Sequence, residues 1–341
     1  MELTLEKLLL LAKSKDTHDV HLVPGKPPQA LSGGFLIPLI PEALGESEIA
    51  SLLQETCSES FSSEHLEIKP YKKLIIHEGL CFVVFAFKTD LSGLNVRLTL
   101  IGSAAPSVSD LIEDDLSMFE QIVNSKFGLA IISGAQGSGK WTLCSAIADA
   151  INERHARRIF VIESEVAYRW QSKKGLLTHL LVGGDCQTYS DAISLAEGCG
   201  ADVIVIDEVP DQSTLIQLLQ LADKGHLIIT VIHSQGLIDT LRRLLELTLP
   251  EGSTYRDVLA RMLLAVTSQF LVLGKDGNRK AAFEWLVPDK VVRSSIQSGD
   301  IATLSDLLST SAGRTLDASI VKLMENDRIT RDTAVALLFE Q

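Results

Sequence analysis

The chain lacks any apolar run near the roughly 18 residues that a membrane-spanning helix needs. Its leucine stretch Leu8 to Leu11 is preceded by Glu2, Glu6 and Lys7 rather than by a basic leader segment. Both features predict a cytoplasmic protein with no direct membrane insertion. Basic residues are also short: 31 Lys and Arg stand against 44 Asp and Glu, a net charge of -13. That balance argues against broad binding to nucleic acid or an anionic lipid surface. Five cysteines, Cys57, Cys81, Cys144, Cys186 and Cys199, are scattered without a CxxC pair. Neither a disulfide framework nor a zinc site is indicated, and the thiols read as structural. There is no internal repeat and no low-complexity tract.

What is present is 341 residues with 46% hydrophobic content, enough for two domains with real cores. The texture changes near residue 103. Before it, Met1 to Lys15 reads as a helix, while Leu80 to Phe87 and Leu94 to Leu100 read as strands joined by a turn at Ser92-Gly93. Gly102 to Ser107 is rich in small residues and proline, as a linker would be. After it, the apolar runs Leu129 to Ile132, Ile159 to Ile162, Val203 to Ile206 and Leu227 to Ile232 alternate with helical patterns. That alternation predicts a parallel sheet covered by helices. From Thr303 onward the pattern is helical, with Leu316, Ile320, Leu323 and Met324 on one stripe. The expected fold is α/β, with a small N-terminal α+β domain over residues 1–102, a linker at 103–110, a P-loop domain at 111–290 and a helical portion at 291–341.

The most informative segment is Gly134-Ala135-Gln136-Gly137-Ser138-Gly139-Lys140-Trp141-Thr142. Gly134, Gly137 and Gly139 allow positive φ and bring backbone N–H groups, including that of Ser138, toward phosphate oxygens. Lys140 supplies a point charge for the β and γ phosphates, and Thr142 follows as a further candidate phosphate contact. An apolar strand precedes the loop, and Leu143, Ile147 and Ile151 at i, i+4 and i+8 predict a helix after it. Its N-terminus would face the anion. The departure is Trp141, which stands where a magnesium-binding Ser or Thr belongs. An indole has no oxygen to give, and Thr142 lies about 100 degrees farther around the helix.

A second element is Val203 to Ile206 followed by Asp207 and Glu208, 67 residues after Lys140 in the case of Asp207. A buried strand thereby delivers two carboxylates where ligands bind in open α/β sheets. Glu208 is the candidate for polarising water, and Asp207 for holding Mg2+. Glu163 and Glu165 follow another strand, while His226 precedes and His233 follows the run Leu227 to Ile232.

Together with His18 to Leu22 and Gly25 to Pro28, these segments resemble the secretion ATPases of type II secretion and type IV pili, in order and spacing. Within that family they are most similar to the pilus-retraction, or twitching-motility, branch. The absence of the assembly motors' extra domain and tetracysteine motif fits this, as do Ala281 to Glu284 and Val291 to Ser294. The resemblance implies a PAS-like N-terminal domain, a RecA-like ATPase domain, and a homo-hexamer or mixed hexamer. It also implies an inner-membrane platform protein as partner, with the ring peripheral to that membrane, and ATP with Mg2+ as ligands. Lys140 and Thr142 would contact phosphates, Glu208 would act on water, Glu163 would serve an acidic box, and His226 and His233 a histidine box.

Several residues depart from the family pattern. Arg97 alone remains of the arginines expected from the first domain, Gly198-Cys199-Gly200 replaces a charged run, and Pro210 stands in place of an arginine. Asp207, in turn, occupies a position that is usually glycine. Because one arginine can contribute about 10³ to 10⁵ in rate, slow or absent hydrolysis is expected. The alternative to a motor is therefore an impaired paralogue that regulates or co-assembles with an active one. An unrelated P-loop kinase or DNA-handling ATPase leaves the N-terminal match unexplained.

Overall fold

In a computed structural model of the protein, the described residues are 3–15, 17–32, 35–57, 70–102, 104–112, 116–248, 253–300 and 313–339. They form two compact units. The first comprises Met1–Ala104 with two later segments, Ser164–Arg169 and Leu181–Gln187, and the second comprises the remainder.

The first unit is a six-stranded antiparallel sheet. Its strands are β1 (Asp19–Leu22), β2 (Gln29–Ser32), β3 (Phe35–Pro38), β4 (Tyr71–His77), β5 (Leu80–Thr89) and β6 (Gly93–Leu100), in the order β3-β2-β1-β6-β5-β4. The helix Leu5–Ser14 starts where the Thr4 side chain accepts the Lys7 N–H, and it buries Leu5, Leu8, Leu9 and Ala12. That i, i+3, i+4, i+7 spacing is a single apolar stripe. A second helix, Glu46–Cys57, adds Ile49, Leu52 and Leu53 to the same core. The later segments join through Val166 and Leu181, which pack with Val83. Lys72 ties them down by donating to the Ser164 and Val182 carbonyls. Chain that comes after the phosphate loop thus completes the N-terminal unit, which the boundary at residue 102 does not anticipate.

The second unit holds an eight-stranded sheet. Its strands are β7 (Gly128–Gly134), β8 (Arg158–Glu163), β9 (Leu176–Leu181), β10 (Val203–Ile206), β11 (Leu227–His233), β12 (Leu263–Leu273), β13 (Arg279–Leu286) and β14 (Gly313–Arg314). The order is β14-β13-β12-β7-β11-β10-β8-β9. The central strands β12, β7, β11, β10 and β8 pair in parallel, while β13 and β14 are antiparallel. Strands β7 and β10 are buried along their whole length, as expected when both faces of a parallel sheet are covered.

The four strands read from the apolar runs are all found. Strands β9, β12, β13 and β14 are additional: β12 carries Thr267, Ser268 and Gln269 in its middle, which interrupts the apolar signal. The expected linker at 103–110 contains the start of a helical turn, Val108–Leu111, because Ser107 and Asp110 form a reciprocal capping box. Toward the C-terminus, helices Lys290–Ser298, Leu316–Glu325 and Arg331–Phe339 are present. The stripe through Leu316, Ile320, Leu323 and Met324 packs with Val272 and Ala282 of β12 and β13. The start of the helical pattern at Thr303 lies outside the described residues. No helix among the described residues is long and apolar enough to cross a membrane.

Candidate nucleotide site

Strand β7 ends in Gly134, and the helix Lys140–Arg154 begins after Gly139, so the loop between them is a tight strand-to-helix turn. Gly134 and Gly139 have φ of 141° and 84°. A β-carbon at Gly134 would collide with the Gln269 carbonyl and come within 2.6 Å of Ser138 Oγ, and one at Gly139 would lie 2.7 Å from Gln269 Nε2. Glycine is required there by both conformation and space. Lys140 is 5% exposed, and its Nζ donates to the Ala135 carbonyl at 2.6 Å. Burial holds its ammonium below the usual lysine range. The result is a cup of backbone amides at a helix N-terminus, closed by a partly desolvated cation.

Strand register brings further groups to this edge. His233 pairs with Gly134, Ile206 pairs with both Thr230 and Ile162, and the Asp207 N–H donates to the Ile162 carbonyl at 3.1 Å. Loop, His233, the Asp207-Glu208 pair and Glu163 therefore follow one another along the carboxyl ends of β7, β11, β10 and β8. Burial lowers the His233 pKa below its ordinary value, the Lys140 and Arg243 charges lower it further, and Glu208 opposes them. The Tyr189 hydroxyl donates to Asp207 Oδ1 at 2.7 Å and lies 3.2 Å from Glu208 Oε1. One phenol thus lies between the two carboxylates, with a single proton to donate. Cys144, wholly buried nearby, has its thiol pushed well up by burial and by the charges of Asp207 and Glu163.

Glu163 is fully buried. Trp141 Nε1 donates to its Oε2 at 2.9 Å, and Trp170 Nε1 donates to its Oε1 at 2.9 Å. His179 Nε2 is 2.8 Å from Oε1 but off the line of a hydrogen bond. Trp170, His179, Tyr189 and Gln269 carry no local sequence signal for these roles. Only the sheet order brings them to the loop and to the acids.

Other expected residues lie elsewhere. His226 precedes β11, whereas His233 ends it, so the two stand at opposite edges of the sheet, about 23 Å apart at about 3.3 Å per residue. His226 Nδ1 is 2.7 Å from the Ala201 carbonyl oxygen. There it lines a cleft of about 470 Å³ with Lys126, Arg157, Arg158 and Lys224. The histidine box that the resemblance implies therefore does not bring both histidines to the loop: the six residues Leu227 to Ile232 lie between them. Arg97 belongs to the first unit, where its guanidinium pairs with Asp19 at 2.9 Å and Glu165 at 3.5 Å.

The loop fits a nucleotide phosphate chain. It does not fit Mg2+ in the usual manner. Trp141 offers only a donor, both Glu163 oxygens face indole N–H groups, and Asp207 Oδ1 faces a phenol. Among the described residues no cluster of three or more His, Cys, Asp or Glu side chains is arranged to hold a metal. Asp207, the expected Mg2+ ligand, accepts from the Tyr189 hydroxyl at its Oδ1.

Residues 106–323 match the family model described as "Type II/IV secretion system protein". The chain belongs to that family. The Neisseria gonorrhoeae "Twitching motility protein" is 32% identical over 64% of this chain and 60% of its own length. The Pseudomonas aeruginosa "Type IV pilus retractation ATPase PilT" is 25% identical over 96% of both chains. A solved structure, "Crystal Structure of the Pilus Retraction Motor PilT and Bound ADP", superposes with a TM-score of 0.85 at 26% identity, covering 98% of this chain and 96% of that one. The fold is accordingly that of the retraction ATPases: an N-terminal antiparallel-sheet domain followed by a mostly parallel P-loop domain. The family match spans the loop, Glu163, Asp207, Glu208 and both histidines, whereas Arg97 lies outside it.

Proposed function

We propose that this chain binds ATP at the Gly134–Lys140 loop and acts as a motor subunit in type IV pilus retraction. The observation that carries the reading is the closed loop, with Lys140 over it and His233, Asp207 and Glu208 along the same sheet edge. Its near full-length similarity to a retraction ATPase supports the same conclusion. The subunit works in a homo-hexamer or a mixed hexamer with a related ATPase, docked on an inner-membrane platform protein. Loop amides and Lys140 hold the phosphates, and Glu208 takes the proton of the water that attacks the terminal phosphorus, releasing ADP and phosphate. Thr142, on the first turn of the loop helix, is a further phosphate contact.

Turnover is slow in this reading. The Cys81 to Phe87 stretch of β5 supplies no arginine, and Arg97 is matched by two carboxylates. Phosphate release by the purified protein, measured beside Glu208→Gln, tests the assignment. A loss of about 10²-fold or more in the variant is expected for removal of a general base. Equal rates in the two proteins would remove Glu208 from catalysis and leave the impaired-paralogue reading in its place.

A further inference from the structure

The Trp141 indole does more than vacate a metal ligand. We infer that Trp141 and Trp170 together satisfy Glu163 so that the site captures adenine nucleotide without a divalent cation. The inference rests on the nucleotide-binding reading above and concerns how the same site neutralises charge.

A fully buried carboxylate is costly unless its oxygens are hydrogen-bonded or paired. Here each oxygen has its own indole donor at 2.9 Å, one from the loop helix and one from the chain beyond β8. An indole donates and cannot accept, so neither ring can serve a cation. Magnesium requires a nearly octahedral set of oxygens at about 2.0–2.1 Å. A cation reaching either Glu163 oxygen would have to share that oxygen with its indole donor or displace it and leave the N–H unpaired. The Asp207-Glu208 pair shares the Tyr189 hydroxyl, whose oxygen is 2.7 Å from Asp207 Oδ1 and 3.2 Å from Glu208 Oε1. Glu163 thus has a donor on each oxygen, and the Asp207-Glu208 pair has the one Tyr189 proton between them. Phosphate charge then falls to the loop amides, the helix N-terminus and Lys140. These are fixed parts of the chain and owe nothing to a metal.

Calorimetric titration of the full chain with ADP and with ATP, in excess magnesium and in excess EDTA, is the test. Dissociation constants agreeing within about threefold between the two conditions are expected. Weakening by tenfold or more in EDTA would overturn the inference while leaving the nucleotide reading intact; no binding in either condition would remove both. In Trp141→Ser, a hydroxyl returns and one Glu163 donor is lost, so magnesium should tighten binding about tenfold, and an unchanged ratio counts against the role of Trp141. Should that variant fail to fold, tryptophan emission of the unaltered protein gives a second readout. Magnesium alone should leave the emission unchanged, and a saturable shift would show a cation reaching Glu163 and sink the idea.

Discussion

The two edges of the eight-stranded sheet are built from the same strands and carry opposite chemistry. At the carboxyl edge, Glu163, Asp207 and Glu208 stand beside the loop and Lys140. At the amino edge, Lys126, Arg157, Arg158, Lys224 and His226 line a cleft whose one acidic lining residue is Asp202. The basic edge is occupied with holding the fold. Arg158 makes two side-chain bonds to Asp202 at 3.1 and 2.9 Å, Arg157 donates to the Ser125 carbonyl, and Lys224 pairs with Glu197 at 2.6 Å. Burial lowers the Arg157 pKa, with Asp202 acting against it. Abundance of positive charge is therefore not what singles out the proposed anion site. The proposed phosphate site is the edge where a helix N-terminus and glycine amides converge, even though its side chains are mostly acidic.

The comparison breaks most readily at Lys140. Lys140→Ala should weaken ATP binding about 10- to 100-fold, the equivalent of a charged hydrogen bond of about 1.5–3 kcal/mol. Calorimetry reads this directly, and a change under threefold would move the phosphate site away from the loop. Gly134→Ala tests the loop's geometry: positive φ and the Gln269 carbonyl together should cost about 1–3 kcal/mol of stability, seen as an earlier denaturant midpoint.

A smaller effect concerns pH. His233 has a pKa held below 6.5 by burial first and by Lys140 second. A bound phosphate offsets the Lys140 charge, so the bound state takes up a proton more readily than the free state. Affinity should then rise as pH falls through the region near and below 6.5, and His233→Ala should flatten that slope. The smallest effect is at the other edge. His226→Ala should leave ATP affinity within about twofold, since about 23 Å of strand separates it from the loop. A large loss there would mean that the two edges are coupled.

Much of the architecture is legible locally. Glycine spacing, a preceding apolar strand and a following helical stripe are properties of contiguous residues, and the Asp207-Glu208 pair at the end of β10 is read the same way. His226 is instructive because one strand separates two histidines that share a motif, and strand direction sends them apart. Strand β12 was hidden by the polar Thr267, Ser268 and Gln269, which are buried beside the loop rather than facing solvent. Trp141 could be seen to lack a metal-binding oxygen, but nothing nearby in the chain says where its N–H points. Its partner is 22 residues away at the end of strand β8, and the second indole on that carboxylate comes from a loop beyond it.

What the amino-acid order determined alone is the set of short-range structures: a glycine-lined turn, buried parallel strands, and acids at their ends. Only the tertiary structure decided which donor meets which acid. Strand β11 inserts between β7 and β10, and β8 lies beyond β10, so the spacing between loop and carboxylates comes from sheet order and not from chain distance. Hydrogen bonds are satisfied by whatever is adjacent in space, and that adjacency exists only once the sheet has formed.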